Sequence, residues 1–156
     1  MKGINIAETC HVVPIIEPLG SAAATKNSLV WSMENYAHVS IILQVGTQAG
    51  SFTAILYECD DHTPTNATAI ATHVYKEETA STDVLGARAT MAAAGLATAE
   101  TSNIFYVIEH DASELTDGYP CMQLRLSALD NTTYVSAVAI LSGPRYISTE
   151  SATAIS

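Results

Sequence analysis

Few residues in this chain have the types and spacing that chemistry needs, and they fall in two tight groups. Asp60-Asp61-His62 and Glu109-His110-Asp111 each set two carboxylates and an imidazole side by side. Carboxylate oxygens and imidazole nitrogens are common donors to divalent metals, so either group has the right atoms. The spacing works against both. Consecutive residues in an extended or turning backbone point in different directions and rarely converge on one ion. No HxH or HExxH pattern adds a further ligand. The first group therefore reads as a solvated turn. The second reads as a strand end, with Asp111 capping a single helical turn at residues 112–115. His11, His38 and His73 lie in apolar or alternating contexts and read as structural histidines.

Nucleophilic chemistry has no better footing. Cys, His and Asp are all present, but GxSxG, GxCxG and a Gly-rich phosphate loop are not. Gly46 and Gly50 have the wrong spacing for such a loop, and no Lys follows them. Cys10, Cys59 and Cys121 are widely spaced, odd in number and form no CxxC pair, so they read as reduced, buried or half-buried thiols. The expectation is no catalytic, cofactor-binding or metal-binding residue: not an enzyme, and no cofactor. Two N-x-T sequons, at Asn66 and Asn131, fall in expected turns and read as turn chemistry. Trp31 and the seven tyrosines are spread along the chain. They do not make the spaced platform of a single-strand nucleic-acid binder. Their commonest use is core packing, and exposed ones suit a sugar-binding face or an interface.

The elements that would position these residues are strands. Residues 38–45 (HVSIILQV), 52–59 (FTAILYEC), 104–110 (IFYVIEH), 121–129 (CMQLRLSAL) and 133–141 (TYVSAVAIL) carry strand-like runs between turn-rich segments. The first is apolar enough for a central strand. Residues 46–51 (GTQAGS) read as a hairpin with two glycines supplying positive φ, and Asp130-Asn131 as a second tight hairpin. Residues 67–76 alternate as one weaker strand. Residues 89–101 are Ala-rich, with two options: a short helix weakened by Gly95 and threonines, or a loop plus a small-residue strand. About seven or eight short strands predict an all-β fold, an antiparallel β-sandwich with the jelly roll among its options. Three regions are expected: an extended N-terminal arm at 1–35 that could include one or two edge strands, a sandwich domain at 36–147, and a flexible polar tail at 148–156.

Composition narrows the partners. The chain of 156 residues has 16 acidic against 6 basic side chains, a net charge of −10, and only 14% charged residues. Binding nucleic acid needs clustered Lys and Arg, which are missing. The same deficit argues against an anionic membrane surface, and no apolar run reaches the length of a span. The N-terminus lacks a convincing signal-peptide core, so folding in a cytoplasm is expected.

Two runs carry a resemblance. YAHVSIILQVGTQAGSFTAILYECDD (residues 36–61) resembles a pattern in small structural proteins of tailed bacteriophages: a Tyr, a strand of the form V-S-I-x-L-x-x-G, a Gly-containing turn and a second strand ending in acids. LRLSALDNTTYVSAVAILSGPRY (residues 124–146) resembles their closing hairpin. The resemblance implies a capsid decoration (cement) protein made in the host bacterial cytoplasm and bound to the capsid exterior of the virion. Its implied partners are the major capsid protein and further copies of itself, with a homotrimer favoured. The residue-level alternative is a lectin-like, glycan-binding sandwich, for which residues 60–66 and 117–119 are the loops to inspect.

Overall fold

The computed structural model describes residues 3–20, 24–99, 101–145 and 153–155. Its strands are β1 (His11–Gly20), β2 (Thr25–Asn27), β3 (Trp31–Ser32), β4 (Tyr36–Val45), β5 (Thr53–Cys59) and β6 (Ala67–Ile70), then β7 (Thr72–Lys76), β8 (Ala89–Met91), β9 (Leu96–Ala97), β10 (Ile104–Asp111), β11 (Cys121–Ser127) and β12 (Tyr134–Pro144). One sheet runs β1-β12-β4-β10-β7-β8. The other runs β2-β11-β5-β6, with β3 also on β11 and β9 also on β5. All pairings are antiparallel. The two sheets face each other as a β-sandwich.

The alternation of each long strand explains the packing. In β4, Val39, Ile41, Leu43 and Val45 are buried, and in β10 Ile104, Tyr106 and Ile108 are. Ala54 and Leu56 of β5 and Met122, Leu124 and Leu126 of β11 close the core from the other sheet, around a fully buried Trp31. Each such aliphatic side chain contributes roughly 1.5–3 kcal/mol by leaving water.

Several local expectations change in three dimensions. In the N-terminal stretch the edge-strand option is taken: β1 pairs with β12 from His11↔Leu141 to Gly20↔Tyr134 and buries Val13, Ile15 and Ile16. Its prolines mark an edge strand rather than irregular chain. A residue without an N–H is tolerated where no neighbour needs the bond, and register shifts after Pro14 and Ile16 absorb the misfit. Residues 46–51 and Asp130-Asn131 are not hairpins. Each carries the chain from one sheet to the other, β4 to β5 and β11 to β12. Neither Gly46 nor Gly50 has positive φ. Gly46 is needed for closeness instead, since an added Cβ would stand 3.2 Å from Tyr134 Cβ. Residues 67–76 split at Ala71 into β6 and β7, which lie in different sheets. Residues 89–101 take the strand option, as β8 and β9. Of the expected tail, 148–152 and 156 lie outside the described residues. Ala154 is buried, and its carbonyl accepts a 2.8 Å bond from Ser32 N–H.

Candidate functional site

The antiparallel register decides which polar side chains meet. On β10 the buried parity is Ile104, Tyr106, Ile108 and His110, so Phe105, Val107, Glu109 and Asp111 point to the outer face. Opposite them, Asp111 pairs with His38 and Glu109 with Ser40 on β4, while β7 sets His73 beside Glu109. The group Glu109-His110-Asp111 is thereby split. Its two carboxylates share the outer face, and its imidazole enters the sandwich.

On that outer face His38 is held at both ring nitrogens. Nε2 lies 2.6 Å from Glu109 Oε2, and Nδ1 lies 2.7 Å from Asp111 Oδ1. Carboxylate oxygens within hydrogen-bond reach of both ring nitrogens favour the protonated imidazole, in which both nitrogens donate. Partial burial works against that charge, but the hydrogen bonds to Asp111 and Glu109, together with their negative charges, outweigh it and hold the pKa above the ordinary histidine value. Asp111 is therefore used by His38 and does not cap the following turn. Residues Ala112–Glu114 form a 3-10 turn without a side-chain cap bond.

Ser40, His38 and Asp111 come close to the order of a nucleophilic triad, and Glu109 breaks it. Ser40 Oγ donates to Glu109 Oε2 at 2.6 Å, whereas its distance to His38 Nε2 is 3.5 Å. Glu109 Oε2 lies 2.6 Å from both Ser40 Oγ and His38 Nε2, so it takes the place that each would have for the other in a triad. What this arrangement does is bind β4 to β10 by charge. Beside it, the Arg88 guanidinium contacts His73 Nε2. These groups border an open hollow of about 560 Å³.

His110 is buried, with Nδ1 3.1 Å from Thr72 Oγ1 and 3.6 Å from Glu114 Oε2. Burial, the dominant cause, pushes its pKa down against the pull of Glu114, Asp111 and Glu58. The Asp60-Asp61-His62 group serves its own turn. Asp60 accepts the backbone N–H groups of Asp61, Thr65 and Asn66 and the Asn66 side-chain amide. Asp61 accepts from Thr63 N–H at 2.6 Å. The Asn66 amide holds the Asp60 carboxyl below its usual range. Asn131 sits exposed in the crossing between β11 and β12. Among the described residues, no group of three His, Cys, Asp or Glu side chains is arranged to hold a metal ion. His11 stacks on Tyr36, with ring centroids 5.9 Å apart. Cys10 is half-buried, and Cys59 and Cys121 are buried.

Beside the His38 cluster the outer face carries an apolar row, with Gln44 and Ser136 next to it, and no motif points to it. Register aligns Pro14 of β1, Val138 of β12, Ile42 of β4, Val107 of β10 and Tyr75 of β7 in one row across five strands. Ile42, Val107 and Val138 are half-buried. The adjoining row brings Val12, 47% exposed, beside Ile140. Farther along, exposed Tyr134 with Phe105 and Val45 borders a hollow of about 740 Å³. The sequence signal was the mostly apolar run at residues 38–45, which reads as a central strand.

The sequence matches no family profile and no curated protein. Among solved structures, the fold is similar to that of the SPBc2 prophage-derived protein YomS, at 11% identity over 84% of this chain and 92% of that one, with a TM-score of 0.45. A weaker likeness, with 11% identity and a TM-score of 0.22, is to the infectious bursal disease virus Gt strain; it covers 85% of this chain and 39% of that one. At these scores neither likeness bears on function. No helix among the described residues is long and apolar enough to cross a membrane.

Proposed function

We propose that this chain is a virion structural protein of a tailed phage, a capsid decoration protein that binds the outside of the shell and clamps neighbouring subunits. In this reading it turns over no substrate. The observation that carries it is the apolar row on the outer face of the six-stranded sheet that begins at β1. A partly exposed apolar row that spans five strands suits burial against another protein. A standard interface buries roughly 800 Å² per partner. The resemblance of residues 36–61 and 124–146 to tailed-phage structural proteins points the same way. So does the net charge of −10, which disfavours contact with packaged DNA and suits an exterior position. Trimer formation would multiply weak contacts by raising effective concentration.

The glycan-binding alternative has less support. Asp60, Asp61 and Asn66 spend their polar atoms on closing their own turn. Tyr119 is half-buried beside a small hollow of about 190 Å³.

The test is light scattering of the purified chain, alone and mixed with empty phage capsids, followed by heating of the capsids with and without it. Trimers that associate and raise capsid heat resistance are expected. A monomer that ignores capsids and leaves their resistance unchanged would remove the reading, and binding on a glycan array would then select the sugar-binding alternative.

A further inference from the structure

The last residue of β5 and the first of β11 are both cysteines, and register sets them directly opposite: Cys59↔Cys121. The register runs without a shift to Thr53↔Ser127, so this pairing is fixed by the whole ladder. Both cysteines have the parity of Tyr57 and Gln123, opposite to core-facing Leu56 and Leu124, so both thiols leave the sheet on one face. Both are nonetheless buried, at 0% and 3% exposure.

Backbone bonding identifies the kind of pair. Asp60 N–H donates to Asn66 toward β6, so the N–H and C=O of Cys59 turn toward β11. Ser28 N–H donates to Leu124 C=O on the β2 side, so the backbone of Cys121 turns toward β5. The two residues thus form a hydrogen-bonded pair, with Cα atoms about 5.5 Å apart. Disulfides span Cα separations of about 4.4–6.8 Å. Side chains across such a pair stand slightly wider than a disulfide needs, and strand termini are where a small backbone shift costs least.

We propose that Cys59 and Cys121 are a modification site, closing into an intrachain disulfide that ties β5 to β11 when the protein meets a low-molecular-weight disulfide oxidant. One cysteine thiolate attacks the reagent disulfide, forming a mixed disulfide and releasing one reagent thiol. The second cysteine, losing its proton, attacks the protein sulfur of that mixed disulfide and expels the second reagent thiol. Two cysteine sulfurs are oxidised by two electrons in all, and one reagent disulfide is reduced to two thiols. The reaction is slow in the folded state. Burial first, then Cys121 and the acidic side chains of Asp60, Asp61 and Glu58, push the Cys59 thiol up to about 11, and burial likewise raises Cys121. Thiolate is therefore scarce until the strand ends open. Cys10, half-buried beside Thr9, has no cysteine across from it among the described residues.

The test refolds the full chain from urea in a buffer of oxidised and reduced glutathione. Remaining thiols are then alkylated under denaturing conditions, and the intact and digested masses are read. The expected product has lost two hydrogens, carries one alkyl group on Cys10, and yields a cross-linked peptide pair containing Cys59 and Cys121. Its melting temperature should rise on the order of 10 °C. Cys59→Ser should show neither the cross-link nor the rise, and should accumulate mixed disulfide on Cys121. Refolded chain with every thiol alkylated, or a bond to Cys10 or between chains, would overturn the proposal.

Discussion

A single residue can be indispensable here without doing chemistry. Gly95 has φ of +97°, and a Cβ there would stand 2.6 Å from Ile55 Cγ1 and 2.7 Å from the Ala54 carbonyl. Gly95→Ala meets both a disfavoured backbone region and a backbone atom that cannot rotate away. It should destabilise the fold by about 2–4 kcal/mol in urea unfolding, with m unchanged. His38 makes a prediction about pH. Its folded pKa is raised, so its contribution is fully present below the unfolded value of about 6.5 and is lost as pH climbs through the folded value. The melting-temperature gap between wild type and His38→Gln should therefore be larger at pH 5.5 than at pH 8.5. A gap that stays constant with pH would show that His38 acts through packing rather than charge.

Among the elements, β1 separates the fold as built from an arm laid on a domain. Ile15 is 2% exposed within it, and Leu29 N–H donates to the Ile15 carbonyl at 3.0 Å. If β1 is a structural strand, Ile15→Ala should cost about 2–5 kcal/mol, the usual range for emptying a buried aliphatic site. A detachable arm would lose nothing measurable. The edge itself is guarded by Pro14, Pro18 and two register shifts, devices that keep an exposed ladder from recruiting strands of other chains. The opposite edge is only three residues long, at β8. Both ends of this sheet thus carry features that discourage lateral strand addition.

At the scale of the whole molecule, the outer face that carries the apolar row predicts how assembly should respond to solvent. If the proposed capsid contact is made through Ile42, Val107 and Val138, it depends on apolar burial, which salt does not screen. Capsid association should change by no more than a fewfold between 50 and 300 mM NaCl, whereas a charge-driven contact would weaken steeply over that range. Ile42→Glu, placed at the centre of the row, should weaken association at least tenfold, read by cosedimentation with capsids. Its circular dichroism spectrum should match wild type, because the side chain points away from the core. Association as tight as wild type would move the contact to another surface.

The sequence by itself determined the long strands at residues 38–45, 52–59, 104–110, 121–129 and 133–141. Alternation in residues such as 104–110 and 121–129 is a local, period-two property, and burying one face is favourable whatever the strand pairs with. It also determined that Asp60 and its neighbours form a turn, since those hydrogen bonds span at most six residues. It did not reveal which sheet each strand enters, because Gly, Asn and Asp serve a crossing as readily as a hairpin. Only the tertiary structure joined His38 to Glu109 and Asp111, 71 and 73 residues away, and Cys59 to Cys121. One trace of the first meeting was legible, since Glu109 and Asp111 are two apart and must share a face. Their partner was not, because pairing between distant strands is settled when two inner faces close over a common core.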